Sequence, residues 1–276
     1  MKTILRDVVG LLRVCGPLVA GCWLVALVGN LCQILRSRNL QAADRSVGCG
    51  PFAIRYPTAS TRFVVTGEGV LSGVREMYVR DCYLRHGTLA IHDGDMVVDL
   101  GANVGNFTNL ALAHGEAIRV VALEPSRALN EAFEKSVAKN PGFRSRVTLV
   151  RGFIGEPCDK QLALTRDDPN YRDAKWLAEA EFLAQARISR VDFLKCDIEG
   201  GEFSALGPGS RLVDMVQSLA VEIHAFAGDV ESLVSSLCDR GLIPRHRDNH
   251  PDGSCILLAS RASPGEAAAG GHDRCP

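Results

Sequence analysis

The stretch Met96–Thr108 reads MVVDLGANVGNFT. Its first five residues form a short apolar run with the pattern of a buried strand. Gly101 and Gly105 then bracket Ala102, Asn103 and Val104, and a helical pattern starts at Asn106. Glycine at such a turn permits a tight bend and a close approach to the backbone. The loop departs from G-x-G-x-x-G because Asn103 holds the middle position, so a pyrophosphate cradle is poorly supported.

Outward from this loop, strands and helices alternate. Expected strands are Met96–Leu100, Arg119–Leu123, Val147–Phe153, Val191–Cys196, Ser218–His224 and Cys255–Ser260. Helical patterns cover Asn106–His114, Ala128–Lys139, Asp173–Ala186 and Asp229–Arg240, with polar loop in the rest of 155–187. Such alternation predicts an α/β fold, a doubly wound, mostly parallel sheet with helices on both faces. Ligands bind such sheets beyond the carboxyl ends of the strands.

Those strand ends carry acids. Asp99 precedes the glycine loop. Glu124, in ALEP, ends the second strand, where an acid accepts hydrogen bonds from ribose hydroxyls. KCDIEGGE crowds Asp197, Glu199 and Glu202 into one strand-to-helix turn, although Glu202 is also explained as an acid favouring a helix N-terminus. Glu222 and His224, in VEIH, lie two apart and share one face of their strand. His224, with an ordinary pKa of about 6.5, is the natural general base; Asp197 is the alternative base or orients the ring.

Composition sets limits. With 31 basic and 32 acidic residues the net charge is −1, which argues against a general nucleic-acid binder. The ten cysteines are scattered without metal-type spacing, so no metal site is expected. Val14–Leu35 carries no charge and is flanked by basic residues. As one helix it would span about 33 Å, against a bilayer core of about 30 Å. The expected organisation is an N-terminal membrane anchor over 1–36, a polar linker over 37–51, a catalytic body over 52–260 and a disordered tail over 261–276. The body is expected on the cytoplasmic side, with the lumenal side as the alternative. Removal of 1–45 is expected to leave a folded body.

The strings VVDLGANVGNFT (97–108), ALEP (122–125), VDFLKCDIEGGE (191–202) and VEIH (221–224), in this order, resemble the FkbM-type methyltransferases, a branch of the S-adenosylmethionine-dependent class I methyltransferases. The resemblance implies a seven-stranded, Rossmann-like sheet with an antiparallel last strand, S-adenosyl-L-methionine as cofactor, and O-methylation of a sugar, glycan, lipid-linked or secondary-metabolite hydroxyl. It implies that Asp99, Gly101, Asn103 and Gly105 line the methionine part of the cofactor. Glu124 would hold the ribose, Gly152 and Phe153 would flank the adenine, and Asp197 would face the methyl group. His224, Asp197 and Glu222 are the catalytic candidates. Two other readings stay open: a nicotinamide-dependent reductase, for which Tyr171 and Lys175 form a YxxxK string, and an inactive membrane-tethered scaffold.

Overall fold

In the computed structural model, which describes residues 2–262, the chain begins with four short helices: α1 (Lys2–Val14), α2 (Pro17–Gly29), α3 (Leu31–Ser37) and α4 (Gln41–Val47). The expected single membrane helix is therefore broken twice. Gly16, at φ 90°, ends the first helix, and Pro17 opens the second at a position where its missing N–H costs nothing. Asn30 ends α2, and its amide donates to Ala26 O at 2.8 Å and to Ser46 Oγ at 2.9 Å. The axes of α2 and α3 differ by 75°, and no single helix among the described residues is long and apolar enough to cross a membrane.

The linker expected over 37–51 is also absent: α4 lies there and buries Ala43 and Asp44. Asp44 is the reason these helices adhere to the body. It accepts from Trp23 Nε1 at 2.8 Å and from Arg75 Nε and Nη2 at 2.8 and 2.6 Å. Arg75 Nη1 donates in turn to Asp7 Oδ2 at 2.7 Å. Asp7, Asp44 and Arg75 are all buried, and Arg80 Nη2 adds a second cation to Asp7 Oδ2 at 2.7 Å, so the charges compensate one another inside the fold. Arg75 belongs to a π-helical segment, Val74–Val79, that follows the short antiparallel pair β1 (Phe52–Ile54) and β2 (Phe63–Val65) and the turn of helix α5 (Val70–Gly73).

The body continues with β3 (Met96–Leu100), α6 (Asn106–Leu112), β4 (Arg119–Leu123), α7 (Arg127–Ala138) and β5 (Val147–Val150). An insertion holds β6 (Gly152–Ile154), α8 (Asp159–Asp167), β7 (Lys175–Leu177) and α9 (Glu179–Gln185). Then come β8 (Val191–Cys196), α10 (Glu202–Ala205), α11 (Arg211–Met215), β9 (Val216–Ile223), α12 (Val230–Asp239), β10 (Ile243–Asn249) and β11 (Cys255–Ser260). The seven-stranded sheet has the order β10-β11-β9-β8-β3-β4-β5. The pairs from β9 to β5 are parallel, and β11 runs antiparallel to both its neighbours. Strands β3, β4 and β8 are almost continuously buried because helices cover both sheet faces. Leu11, Val14, Trp23 and Ala43 join the core on one face, so the first helices are part of the fold.

Three expectations change. The third strand stops at Val150, and Gly152–Ile154 pairs instead with β7 in a separate two-stranded sheet. The helix expected over 173–186 is shared between β7 and α9, and α8 occupies part of the expected loop. β10 (IPRHRDN) was not expected as a strand. It is an edge strand with a bulge between Pro244 and His246, a position that tolerates proline and charge. The expected tail lies, from residue 263 on, outside the described residues.

The buried Asp7–Arg75–Asp44 group reverses the expected tolerance to truncation. Asp44→Ala should cost about 3–5 kcal/mol of unfolding free energy, read by urea titration, because Arg75 is left buried with half its compensation. Removal of 1–45 should leave a chain that aggregates. A truncated chain with native circular dichroism and an unchanged urea midpoint would contradict this role.

Candidate active site

The glycine loop sits where β3, β4 and β8 end. Gly101 has φ +78°, and a Cβ placed on it would lie 1.8 Å from Asp197 O. Its freedom is thus required by the crossing of the two strand ends, a constraint that exists before any ligand is considered. The Gly101 and Ala102 amides both donate to Leu123 O, at 2.9 and 3.0 Å, and the Asn103 amide donates to Glu124 Oε2 at 2.9 Å. Three consecutive donors are spent inside the protein and are not offered to a phosphate.

Lys195 lies under this loop with 1% exposure. Its Nζ donates to Gly101 O at 2.7 Å and Leu100 O at 3.2 Å, and stands 3.5 Å from Asp99 Oδ1 and 3.8 Å from Asp197 Oδ2. Burial alone would lower its pKa, but Asp99 and Asp197 more than offset this, so the ammonium stays charged. Asp99 is fully buried, takes Thr108 Oγ1 at 2.7 Å, and supports the loop from below. Gly105, at φ +84°, yields to the ring of Phe133. Neither Asp99 nor Gly105 lines the cavity; both support the loop from behind it.

That cavity, of about 120 Å³, is lined by Gly101, Asn103, Glu124, Gly152, Phe153 and Asp197 among others. Glu124 is 4% exposed. Its Oε1 accepts from Ser126 N at 2.8 Å and its Oε2 from Asn103 N, leaving lone pairs directed to the cavity side. Burial raises its pKa to about 7, against the two backbone hydrogen bonds that lower it. Phe153 is stacked on Trp176, with ring centroids 4.2 Å apart, and faces Tyr171 at 6.2 Å. Tyr171 lines the cavity as well, whereas Lys175 is exposed and does not, so the YxxxK string is not assembled into a site.

Asp197 stands at the junction of this cavity with a second one, of about 360 Å³. Gly101, Asn103, Leu129 and Asp197 line both. Asp197 Oδ2 accepts from Tyr83 at 3.1 Å. The second cavity adds polar groups from α4, α5 and the π-helical segment, among them Gln41, Arg45, Ser72 and Glu76. Burial raises the pKa of Glu76, and the nearby Asp197 adds to this.

His224 and Glu222 lie behind Asp197 and line neither cavity. The His224 ring has Nδ1 3.1 Å from Glu202 Oε1, and Nε2 3.6 Å from Glu199 Oε2 and 4.0 Å from Glu222 Oε1. Burial works to lower its pKa, but Glu202, Asp197 and Glu222 together raise it to about 9. Carboxylates around the imidazole favour its protonated form, which argues against the expected role of His224 as the base and for a cation beside Asp197. Glu222 is shifted upward by burial, then by Asp197 and Glu76. Asp197, Glu202 and His224 bring donor atoms within 4.8 Å of one another, a set that could hold a cation. Glu202, however, already accepts from Ile198 N, Gly200 N and His224, which fixes it as a brace of the turn.

Sequence reasoning missed two members of the site and read Glu202 mainly as a helix-entry acid, where the structure also makes it a partner of His224. Lys195 lies inside the quoted KCDIEGGE string and carried a signal. Tyr83 meets Asp197 across a separation of 114 residues, which no local pattern shows.

The strand order and the acid-lined cavity at the carboxyl edge define a class I methyltransferase fold. Residues 99–244, more than half of the chain, match the family described as the methyltransferase FkbM domain, and the chain belongs to that family. Among curated relatives, 31-O-demethyl-FK506 methyltransferase FkbM of Streptomyces tacrolimicus is 24% identical over 229 residues, covering 68% of this chain and 87% of that protein. Methyltransferase 1 of Beauveria bassiana (strain ARSEF 2860) is 24% identical over 198 residues, covering 60% and 78%. Among solved structures, Aeropyrum pernix fibrillarin with bound S-adenosyl-L-methionine is 15% identical, covers 62% of this chain and 68% of that one, and superposes with a TM-score of 0.39. That likeness is too slight to carry weight, and the sheet order itself defines the class. The chain is a methyltransferase with S-adenosyl-L-methionine as its cofactor. The donor set fits that group: a buried carboxylate for a diol, aromatic and aliphatic walls, and acids near the place of a positive sulfur.

Glu124→Ala should weaken S-adenosylmethionine binding by about ten- to a hundredfold, for a loss of about 1.5–3 kcal/mol, measured by calorimetry. Binding that uses the ionised carboxylate must displace a proton below the pKa of about 7. Affinity should therefore fall with decreasing pH, by up to about tenfold per pH unit. A dissociation constant indifferent to both changes would remove Glu124 from the ribose role.

Proposed function

We propose that the chain methylates a hydroxyl oxygen of a polar, hydroxyl-rich acceptor, with the ribose held at Glu124 and the reacting methyl at the junction beside Asp197. The observation that carries this reading is that the two cavities share Gly101, Asn103, Leu129 and Asp197. A donor in the first cavity and an acceptor in the second would meet there. The polar lining of the second cavity supports a glycan-like or otherwise polyhydroxylated acceptor. The name of the Streptomyces tacrolimicus relative describes an O-demethyl acceptor, which supports oxygen as the methylated atom. The internal use of the loop amides weighs against a dinucleotide in the same place.

S-adenosylmethionine supplies, when bound, an electrophilic methyl group on a positively charged sulfur. The protein aligns the acceptor oxygen with it, and orientation of this kind accounts for much of a rate enhancement. Asp197 takes the hydroxyl proton. Tyr83 donates to its carboxylate, and Lys195 and His224 supply positive charge beside it, opposite Glu76 and Glu222. His224 is a positioning residue in this scheme.

Asp197→Asn should lower turnover by about 10²–10⁴-fold in a labelled-methyl assay against a panel of hydroxyl acceptors. With His224 protonated below a pKa of about 9, activity should fall as pH rises past 9, and that limb should vanish in His224→Ala. A rate that instead climbs with pH through 9 and loses this climb in His224→Ala would identify neutral His224 as the base.

A further inference from the structure

The first three helices leave an apolar surface that the fold does not cover. Among the described residues, ten of the twelve exposed large hydrophobic side chains lie between Ile4 and Leu35. Leu5, Leu18, Val25, Val28, Leu31 and Leu35 are between 53% and 79% exposed. Opposite faces of the same helices are anchored: Leu11, Ala20, Trp23 and Ala26 are buried, and Trp23 is tied to Asp44. α1 and α2 are thus amphipathic with respect to the body, with a buried face and an exposed apolar face, and α3 continues the exposed apolar surface without a buried residue.

The exposed charges that these helices themselves carry have one sign. Asp7 and Asp44 are the only acids in residues 2–47, and both are consumed in the buried group with Arg75. The exposed charged residues of 3–47 are Arg6, Arg13, Arg36, Arg38 and Arg45. We propose that α1, α2 and α3 form a monotopic docking face that lays the folded protein on an anionic lipid bilayer, without crossing it. Apolar side chains beside arginines match the acyl and phosphate layers of such a surface, and the long arginine stems let the guanidinium reach the headgroups. A second copy of the chain fits less well, because pairing like faces would bring ten arginines together. Crossing the bilayer is disfavoured by geometry: α2 has 13 residues, about 20 Å in length, meets α3 at 75°, and would have to release Trp23 from Asp44. The proposal is independent of the methyl acceptor.

The test adds purified full-length protein to preformed vesicles of phosphatidylcholine, with and without phosphatidylglycerol, and measures co-sedimentation. Binding should require the anionic lipid and weaken with salt. Arg36→Gln with Arg38→Gln should weaken it roughly thirtyfold, at about fivefold per charge. Leu18→Asp with Val25→Asp and Val28→Asp should abolish it while cofactor affinity and the urea midpoint stay native, since these side chains contact solvent. Protease added outside the vesicles should degrade the helices of the bound protein completely. The proposal is overturned by a protected fragment covering 14–37, which marks a span. It is equally overturned by undiminished binding of the triple variant, or by absent vesicle binding with a dimer in light scattering that the triple variant dissolves.

Discussion

One buried ammonium organises the catalytic edge of this protein. Lys195 reaches from β8 under the end of β3, where its Nζ binds two carbonyl oxygens of the glycine loop and faces Asp99 and Asp197. A lysine so enclosed is stable only with compensating charge and acceptors on every side. Its presence fixes Asp99 as an inward-facing partner, holds the loop over the strand ends, and leaves Asp197 as the acid that turns to the cavity. The contact between Gly101 and the Asp197 carbonyl adds a steric condition: the two strand ends approach so closely that no Cβ fits.

From that crossing the division of labour follows. The loop amides turn towards Leu123 and Glu124, which preorganises Glu124 at one end of the first cavity. Asp197 stands at the other end, where the second cavity opens. Behind it, His224 is surrounded by Glu199, Glu202 and Glu222, which favour the positive form of the ring. The cationic partners of Asp197 are therefore one lysine and one imidazolium, supplied by different strands.

The sequence was legible where its signals are local. The apolar runs of β3, β4 and β8 and the glycine turn gave the core of the sheet, and ALEP and KCDIEGGE placed Glu124 and Asp197 at its edge. It misled where a signal had two physical causes. An uncharged stretch from Val14 to Leu35 satisfies the composition of a membrane helix, yet Gly16-Pro17 and Asn30 break it and Trp23 docks it on Asp44. Asp99 and Gly105 belong to the same quoted string as Gly101 but serve packing. What remained hidden was non-local: Tyr83 against Asp197, Arg75 between Asp7 and Asp44, and the pull of Glu202, Asp197 and Glu222 on His224.

The central claim is that the Glu124–Asp197 cavity seats the cofactor with its sulfur at the junction of the two cavities. A crystal structure of the chain with S-adenosylhomocysteine tests this directly. The ribose hydroxyls should lie within hydrogen-bond distance of the Glu124 carboxylate, with the sulfur facing Asp197. A ligand seated elsewhere, or one whose ribose lies away from Glu124 and whose sulfur points from Asp197, would contradict the account.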